Sequence, residues 1–153
     1  PVTADGVVYA TSRKKPILAL KAGGVGDITS THRVWAYVGP GAPDVPSSVT
    51  DGQHYYMVDD RGLVSCLDAM TGATIWGPER TAQGTVSSSL VLADGKLFIL
   101  NENGVTTVVA AGPAYKLLAT NELDGSYTLS SPAIAGSQIF IRTGTHLYCI
   151  GEG

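Results

Sequence analysis

The sequence has few charged residues, only one basic cluster and no long hydrophobic run. Charged residues make up 15% of its 153 residues, and the formal net charge is −3. Beyond Arg13-Lys14-Lys15 there is no basic cluster, whereas a nucleic-acid surface needs many phosphate-neutralising side chains. No run approaches the roughly 20 apolar residues of a membrane-spanning helix. We therefore expect no nucleic-acid partner and no membrane span, and we assign the basic triplet to a solvated hairpin tip.

The N-terminus lacks an initiator methionine, a basic region and an apolar signal core. The chain opens on Pro-Val-Thr-Ala-Asp-Gly, which predicts a processed or excised segment. Its own N-terminus therefore does not indicate a compartment.

Glycine and β-forming residues are abundant. The 19 glycines, 8 prolines and 44% hydrophobic residues are typical of a globular chain rich in turns. Short runs of β-branched and aromatic residues, bounded by turn formers, recur along the whole length, and no segment has convincing helical periodicity. The composition therefore predicts an all-β fold.

These runs are copies of one unit. Gly6, Gly52, Gly95 and Gly136 recur at intervals of 41 to 46 residues, a period typical of propeller blades with four strands each. Every unit has three strands and the first three units have a fourth, so we predict fifteen strands and about 3.75 four-stranded antiparallel blades. The predicted blade repeats are approximately 1–46, 47–87, 88–129 and 130–153. The whole chain, 1–153, is then one partial β-propeller, and the complete ring has about eight blades.

The stretch CLDAMTGATIWG predicts a hairpin that carries a docking residue. Gly72 can take the positive φ that the hairpin needs, and Asp68 and Thr71 can hold the turn through side-chain hydrogen bonds. Trp76 then projects from the outermost strand, where a large ring can fill the widening space between blades. Trp35 occupies the same place in the first unit, and Leu118 lies near it in the third.

This motif resembles the tryptophan-docking repeat of the pyrroloquinoline-quinone-like family of β-propellers, which is quinoprotein-type and BamB-like. The resemblance covers the whole chain as a repeat, although the full motif occurs once, and the end of the chain is similar to the C-terminal portion of family members. It implies a propeller fold and a periplasmic or secreted location. The family contains both quinone-dependent dehydrogenases and non-catalytic assembly proteins.

The catalytic members of the family bind a quinone and Ca²⁺ through carboxylates, an asparagine and often a vicinal cysteine pair. Here Cys66 and Cys149 occupy equivalent positions two blades apart, beyond the ~7 Å Cα separation that a disulfide allows. We expect two free, mostly buried thiols. The predicted innermost strands offer paired serines and no carboxylate cluster from which to build a calcium site. We therefore predict no catalytic, cofactor-binding or metal-binding residue.

Other polar residues have structural interpretations. Asp59, Asp60 and Glu102 lie at predicted hairpin tips, where turns favour polar side chains. His32, His54 and His146 share no spacing that would indicate zinc. The serines recur once per blade, which favours a structural role in hydrogen bonding near the axis over a hydrolase. They are Ser47, Ser48, Ser88, Ser89, Ser130 and Ser131.

The sequence leaves several functions and partners open. We favour a non-catalytic binding or assembly scaffold outside the cytoplasm. The alternative is part of a quinone- and Ca²⁺-dependent dehydrogenase whose catalytic residues lie in blades absent here, and a third possibility is a sensor module. Either the rest of a larger propeller or a second copy would complete the ring, and another protein could bind the connecting loops 39–48, 77–88 and 121–131.

Overall fold

The computed structural model describes residues 1–11 and 16–151, which contain β-strands and no helix. Arg13-Lys14-Lys15 therefore lies outside the described residues. The fifteen strands of the described part are β1 Val2–Ala4, β2 Val7–Ala10, β3 Ile17–Lys21, β4 Arg33–Tyr37, β5 Val49–Thr50, β6 His54–Val58, β7 Leu63–Asp68, β8 Thr74–Arg80, β9 Val91–Ala93, β10 Lys96–Leu100, β11 Val105–Ala110, β12 Leu117–Glu122, β13 Ala133–Ala135, β14 Gln138–Arg142 and β15 Leu147–Ile150.

The strands form four antiparallel meanders in chain order. Three sheets have four strands, β1–β4, β5–β8 and β9–β12, and the fourth sheet consists of β13–β15. Their inner strands lie side by side in sequence, β1 next to β5 and β5 next to β9. The predicted fold class is confirmed. Across the described residues, no helix is long or apolar enough to cross a membrane.

Two-residue turns set the register of the inner hairpins. Ala4 pairs with Val7 and Ala93 pairs with Lys96, which leaves an Asp-Gly dipeptide at each turn. Asp5 and Gly6 have φ angles of 48° and 74°. Two successive positive φ angles match the right-handed twist of the flanking strands, and Asp-Gly tolerates them at low cost.

Each sheet has two faces, which we name by the neighbour they meet. The leading face meets the sheet that follows in the chain, and the trailing face meets the sheet before it. Tyr9 and Trp35 on the first leading face pack against Tyr55 and Leu67 on the second trailing face. A second buried cluster joins the second and third sheets in the same way, around Trp76. The core is therefore a series of layers between sheets.

A bulge in the outer strand decides which residue faces the next sheet. Cys66 pairs with Trp76 and Leu67 with Thr74, so Ile75 is the extra residue. In the third sheet Val108 pairs with Ala119 and Val109 with Leu117. Leu118 is thus the bulge residue, and Ala119 occupies the tryptophan position that the sequence placed near Leu118.

Two of the predicted connecting loops are shorter than expected. Strand β8 continues to Arg80 and β12 to Glu122, so the starts of 77–88 and 121–131 are strand rather than loop. Residues 39–48 contain no strand. The antiparallel pairing extends until the chain turns toward the next inner strand.

Candidate functional site

Trp35 links the first sheet to the turn between β7 and β8. Its indole Nε1–H donates to the carbonyl oxygen of Ala69 at 2.9 Å, and the Tyr9 hydroxyl donates to the same oxygen at 3.1 Å. The Trp35 and Tyr55 rings meet edge to face, with centroids 5.9 Å apart. The second sheet therefore receives the tryptophan of the first, a relation that sequence reasoning missed because the two residues lie in different units.

Asp68 organises the turn that receives Trp35. Its Oδ1 accepts hydrogen bonds from the backbone N–H of Met70 at 3.0 Å and of Thr71 at 2.8 Å, and from the Thr71 hydroxyl at 2.8 Å. The bonds from Thr71 are the main reason that the pKa of Asp68 lies below its usual range. The carboxylate therefore holds the turn in its charged form.

Gly72 is required at this turn for two reasons. Its φ is +73°, and a Cβ added to it would lie 2.7 Å from Cδ2 of Trp35. Any other residue would be strained and would displace the indole.

Trp76 repeats this arrangement one sheet later. Its Nε1–H donates to the carbonyl oxygen of Gly112 at 2.9 Å, and its ring meets that of Tyr115 edge to face at 5.5 Å. The N–H of Gly112 donates to the Tyr56 hydroxyl at 2.8 Å, and that hydroxyl donates to Asp51 at 3.1 Å. Burial and the nearby Asp51 charge raise the pKa of Tyr56, which keeps the hydroxyl protonated as a donor.

The space between the third and fourth sheets is less well filled. A cavity of about 250 Å³ lies there, lined by Phe98 and Val108 on one side and by Ile139, Ile141 and Ile150 on the other. Neither sheet contributes a tryptophan to this cavity, since Ala119 occupies in the third sheet the position that Trp76 occupies in the second.

The end of the sheets away from the β7–β8 turn, which we call the loop end, is formed by the β6–β7, β10–β11 and β14–β15 turns and the connections between sheets. Backbone bonds join each connection to a turn of the sheet that precedes it. Val86 N–H donates to the Asp60 carbonyl at 2.9 Å, and Thr128 N–H donates to the Glu102 carbonyl at 3.0 Å. The same contact thus recurs at successive sheets, so the loop end is held by the scaffold.

Buried polar side chains shape the turns of the loop end. Asp59 accepts hydrogen bonds from the N–H of Leu63 at 2.9 Å and of Arg61 at 3.0 Å, and pairs with the Arg61 guanidinium at 2.7 Å. Asn101 uses its Oδ1 for the N–H groups of Asn103 and Val105, both at 3.0 Å. Both turns use a side-chain oxygen that comes just after the second strand of the sheet. The sequence shows it as Asp59 in VDDRG and Asn101 in LNENG.

The repeated serines connect neighbouring inner strands. Ser47 N–H donates to the Ser89 hydroxyl oxygen at 3.1 Å, and Ser89 N–H donates to that of Ser131 at 2.9 Å. The Ser88 hydroxyl donates to the Leu100 carbonyl. These serines therefore form structural hydrogen bonds, as their recurrence once per blade predicted.

The two cysteines differ in exposure. Cys66 is buried and Cys149 is exposed, and both are free thiols. Burial raises the pKa of Cys66 to about 12. The expectation of two mostly buried thiols was therefore wrong for Cys149, because none of the described sheets packs on the leading face on which it lies.

Asp124 and Ser126, which are close in sequence, come together with the distant His146 beside β15. Asp124 accepts a hydrogen bond from the Ser126 hydroxyl at 2.7 Å and lies 3.0 Å from Nδ1 of His146. Bonds from Ser126 and Thr145 lower the pKa of Asp124. The serine hydroxyl points at the carboxylate and not at the imidazole, so the group lacks the order of a catalytic triad. His54 lies in the second sheet and His32 in the turn before β4.

The donor set at the loop end does not fit a quinone and Ca²⁺ site. The Asp59 carboxylate is buried and already bound to Arg61 and two backbone N–H groups. The Asn101 amide N–H donates to the Gln83 carbonyl at 2.9 Å, and Glu102 accepts a hydrogen bond from Ser87 at 2.5 Å. In the part of the chain that the structure describes, no group of three or more His, Cys, Asp or Glu side chains could hold a metal ion.

Successive four-stranded meanders with packed faces and adjacent inner strands define this chain as part of a β-propeller. The family model described as outer membrane protein assembly factor BamB matches residues 1–152. The chain belongs to this family, and the resemblance expected from the sequence is confirmed.

Curated relatives agree with this assignment. The outer membrane protein assembly factor BamB of Salmonella typhimurium is 25% identical over 142 residues, covering 93% of this chain and 33% of the relative. BamB of Yersinia pestis is 26% identical over 148 residues, covering 95% and 35%. The chain thus spans about a third of the length of these relatives.

Solved structures share the fold. BamB from Moraxella catarrhalis superposes with a TM-score of 0.77 at 15% identity, over 98% of this chain and 45% of that one. The computationally designed Ika4 protein superposes with a TM-score of 0.76 at 12% identity, over 99% and 89%.

Proposed function

We propose that the chain is a non-catalytic propeller scaffold that acts outside the cytoplasm, in the periplasm, and binds another protein through its loop end during outer membrane protein assembly. The observation that carries the proposal is that the polar side chains of the loop end are already hydrogen-bonded within the protein, while apolar side chains on the same end are exposed to solvent. Membership of the BamB family supports the assembly role.

The exposed apolar residues lie in the connections between sheets. Val45 and Leu129 are each 57% exposed, and Tyr127 is also exposed. The backbone at Tyr127 is bound to the fourth sheet, since Gly144 N–H donates to the Tyr127 carbonyl at 2.8 Å. Exposed apolar and aromatic side chains on a rigid loop surface, with polar residues around them, are typical of protein-binding sites.

A quinone-dependent dehydrogenase is not favoured. Three acidic or amide side chains at the β6–β7 and β10–β11 turns are engaged in hydrogen bonds within the protein, namely Asp59, Asn101 and Glu102. Binding of Ca²⁺ there would require breaking these bonds.

The test is site-specific photo-crosslinking in the source organism. A photoreactive residue replaces Leu129 or Val45 in the protein as the organism expresses it, and the matched control replaces Met70, which is 69% exposed at the opposite end. We expect Leu129 and Val45 to yield a discrete protein adduct in the cell-envelope fraction and Met70 to yield none. Equal adducts from all three positions, no adduct at the loop end, or adducts in the cytoplasmic fraction would overturn the proposal.

A further inference from the structure

The cavity between the third and fourth sheets interrupts a kind of interface that is closed elsewhere in the chain. Its volume is about 250 Å³. One wall is the leading face of the third sheet, with Phe98 and Val108, and the other is the trailing face of the fourth, with Ile139 and Ile141. Both walls belong to described sheets that face each other, so the cavity lies within the series of sheets.

An alanine at the tryptophan position leaves space beside this cavity. Ala119 pairs with Val108, so the two residues are neighbours on the leading face of the third sheet. Trp76 holds the equivalent position in the second sheet, where it pairs with Cys66 and is 9% exposed. Its indole reaches the next sheet and donates to the Gly112 carbonyl, whereas an alanine side chain is too short to do so. The interface between the third and fourth sheets therefore lacks the ring that fills the one before it.

One polar side chain of the cavity wall is buried without a hydrogen-bond partner. Thr106 is 7% exposed and lies on the same face as Val108. Within the described part of the chain, no hydrogen bond joins its hydroxyl to another residue. In the second sheet the equivalent position is held by Val64, which has no polar group. A buried hydroxyl without a partner costs free energy, so this hydroxyl is available to a ligand.

The cavity is accessible from the outer strand of the third sheet. Asn121 lies on this strand, β12, directly opposite Thr106, and it is an exposed residue of the cavity wall. Its amide supplies donors and an acceptor and has no hydrogen-bond partner among the described residues. A small molecule that passes Asn121 therefore reaches the Thr106 hydroxyl.

We infer that this cavity binds a small planar molecule that is mostly apolar and carries one N–H or O–H donor, such as an indole or a phenol. A protein cavity of about 150 Å³ lined by Leu, Ile and Phe binds benzene. A cavity of about 250 Å³ has room for the two rings of indole. The apolar walls pack on the rings, and the donor bonds to the Thr106 hydroxyl oxygen. This site is separate from the protein-binding surface proposed for the loop end.

The experiment compares indole with indene, which has the same two-ring shape and no N–H donor. Each is titrated into the purified protein, in the form that the source organism expresses, and binding is followed through the methyl NMR signals of Val108, Ile139 and Ile141. We expect saturable shifts at these methyl groups. Indole should bind about three- to tenfold more tightly than indene, because only indole donates a hydrogen bond to Thr106.

Matched variants locate the site. Thr106→Val removes the hydroxyl and keeps the shape of the side chain, so it should lower the affinity for indole to that for indene and leave indene binding unchanged. Thr120→Val, on the opposite face of the third sheet, should change neither affinity. Ala119→Trp supplies the ring that the interface lacks and should abolish binding of both molecules.

Several results would overturn the inference. They are the absence of saturable binding, equal affinities for indole and indene in the wild type, and an equal loss of indole affinity in Thr106→Val and Thr120→Val. A folded Ala119→Trp protein that binds both molecules as the wild type does would place the binding site elsewhere and would also overturn it. If Ala119→Trp does not fold, the comparison of Thr106→Val with Thr120→Val decides the outcome.

Discussion

At the scale of single residues, the tryptophans join neighbouring sheets by one hydrogen bond and one set of ring contacts each. The acceptors are main-chain carbonyls of the next sheet, at Ala69 for Trp35 and at Gly112 for Trp76. A buried or half-buried carbonyl that loses its donor is left without a partner, which costs free energy, so these tryptophans contribute more than apolar surface.

Replacing Trp76 separates the hydrogen bond from the packing. Trp76→Phe keeps an aromatic ring and removes the donor, so we expect a loss of about 1–3 kcal/mol in the free energy of unfolding. Trp76→Ala removes the ring as well and should cost about 3–5 kcal/mol. Urea denaturation followed by circular dichroism measures both.

The control for these variants is Met70→Ala, at an exposed position, which should change stability by no more than about 0.5 kcal/mol. If Trp76→Phe were as stable as this control, the bond to Gly112 would contribute nothing to docking.

At the scale of elements, the turns of the loop end depend on side chains that replace backbone hydrogen-bond partners. Asn101 joins β10 to β11 through its carbonyl oxygen and reaches the connection before it through its amide, which donates to Gln83. Gly84 allows this approach, since a Cβ there would lie 2.7 Å from the Asn101 amide nitrogen. The Asn101 side chain thus orders both the β10–β11 turn and the connection between the second and third sheets.

Two substitutions distinguish these roles. Asn101→Ala leaves the partly buried backbone N–H groups of Asn103 and Val105 without their acceptor, and we expect a cost of about 1–2 kcal/mol in the free energy of unfolding. Asn101→Asp keeps the acceptor and loses the bond to Gln83, so amide hydrogen exchange should rise at residues 82–86 while the N–H of Val105 stays protected. Asn103→Ala, at an exposed neighbour, is the matched control. If residues 82–86 stayed as protected as Val105 in Asn101→Asp, the Asn101 amide would not order the connection between the second and third sheets.

At the scale of the whole molecule, the exposed leading face of the fourth sheet makes the two thiols differ in solvent exposure. Cys66 is buried with its pKa raised to about 12 by burial, whereas Cys149 is exposed. We expect one thiol to react rapidly with Ellman's reagent in dilute native protein, and the second only after unfolding.

The same reaction has a control variant and a result that would contradict it. Cys149→Ser should have no rapidly reacting thiol. Two rapidly reacting thiols in the native wild type would contradict the burial of Cys66.

The strands and hairpins of this chain could be predicted from its sequence. Alternating apolar residues between Asp-Gly and related turns specify strands and hairpins, so fifteen strands in four units could be predicted from the repeat alone. The role of Asp68 and Thr71 in their turn is equally local, since its hydrogen bonds lie within residues 68–73.

Only the tertiary structure decided which residues meet between sheets. A bulge of one residue shifts every later side chain to the other face, which is why Ala119 and not Leu118 stands at the third tryptophan position. Exposure of Cys149 depends on whether a further sheet covers its face, and the contact of Asp124 with His146 depends on how two connections fold back. Sequence periodicity specifies pairing within a sheet, whereas the contacts between sheets depend on how separate units stack.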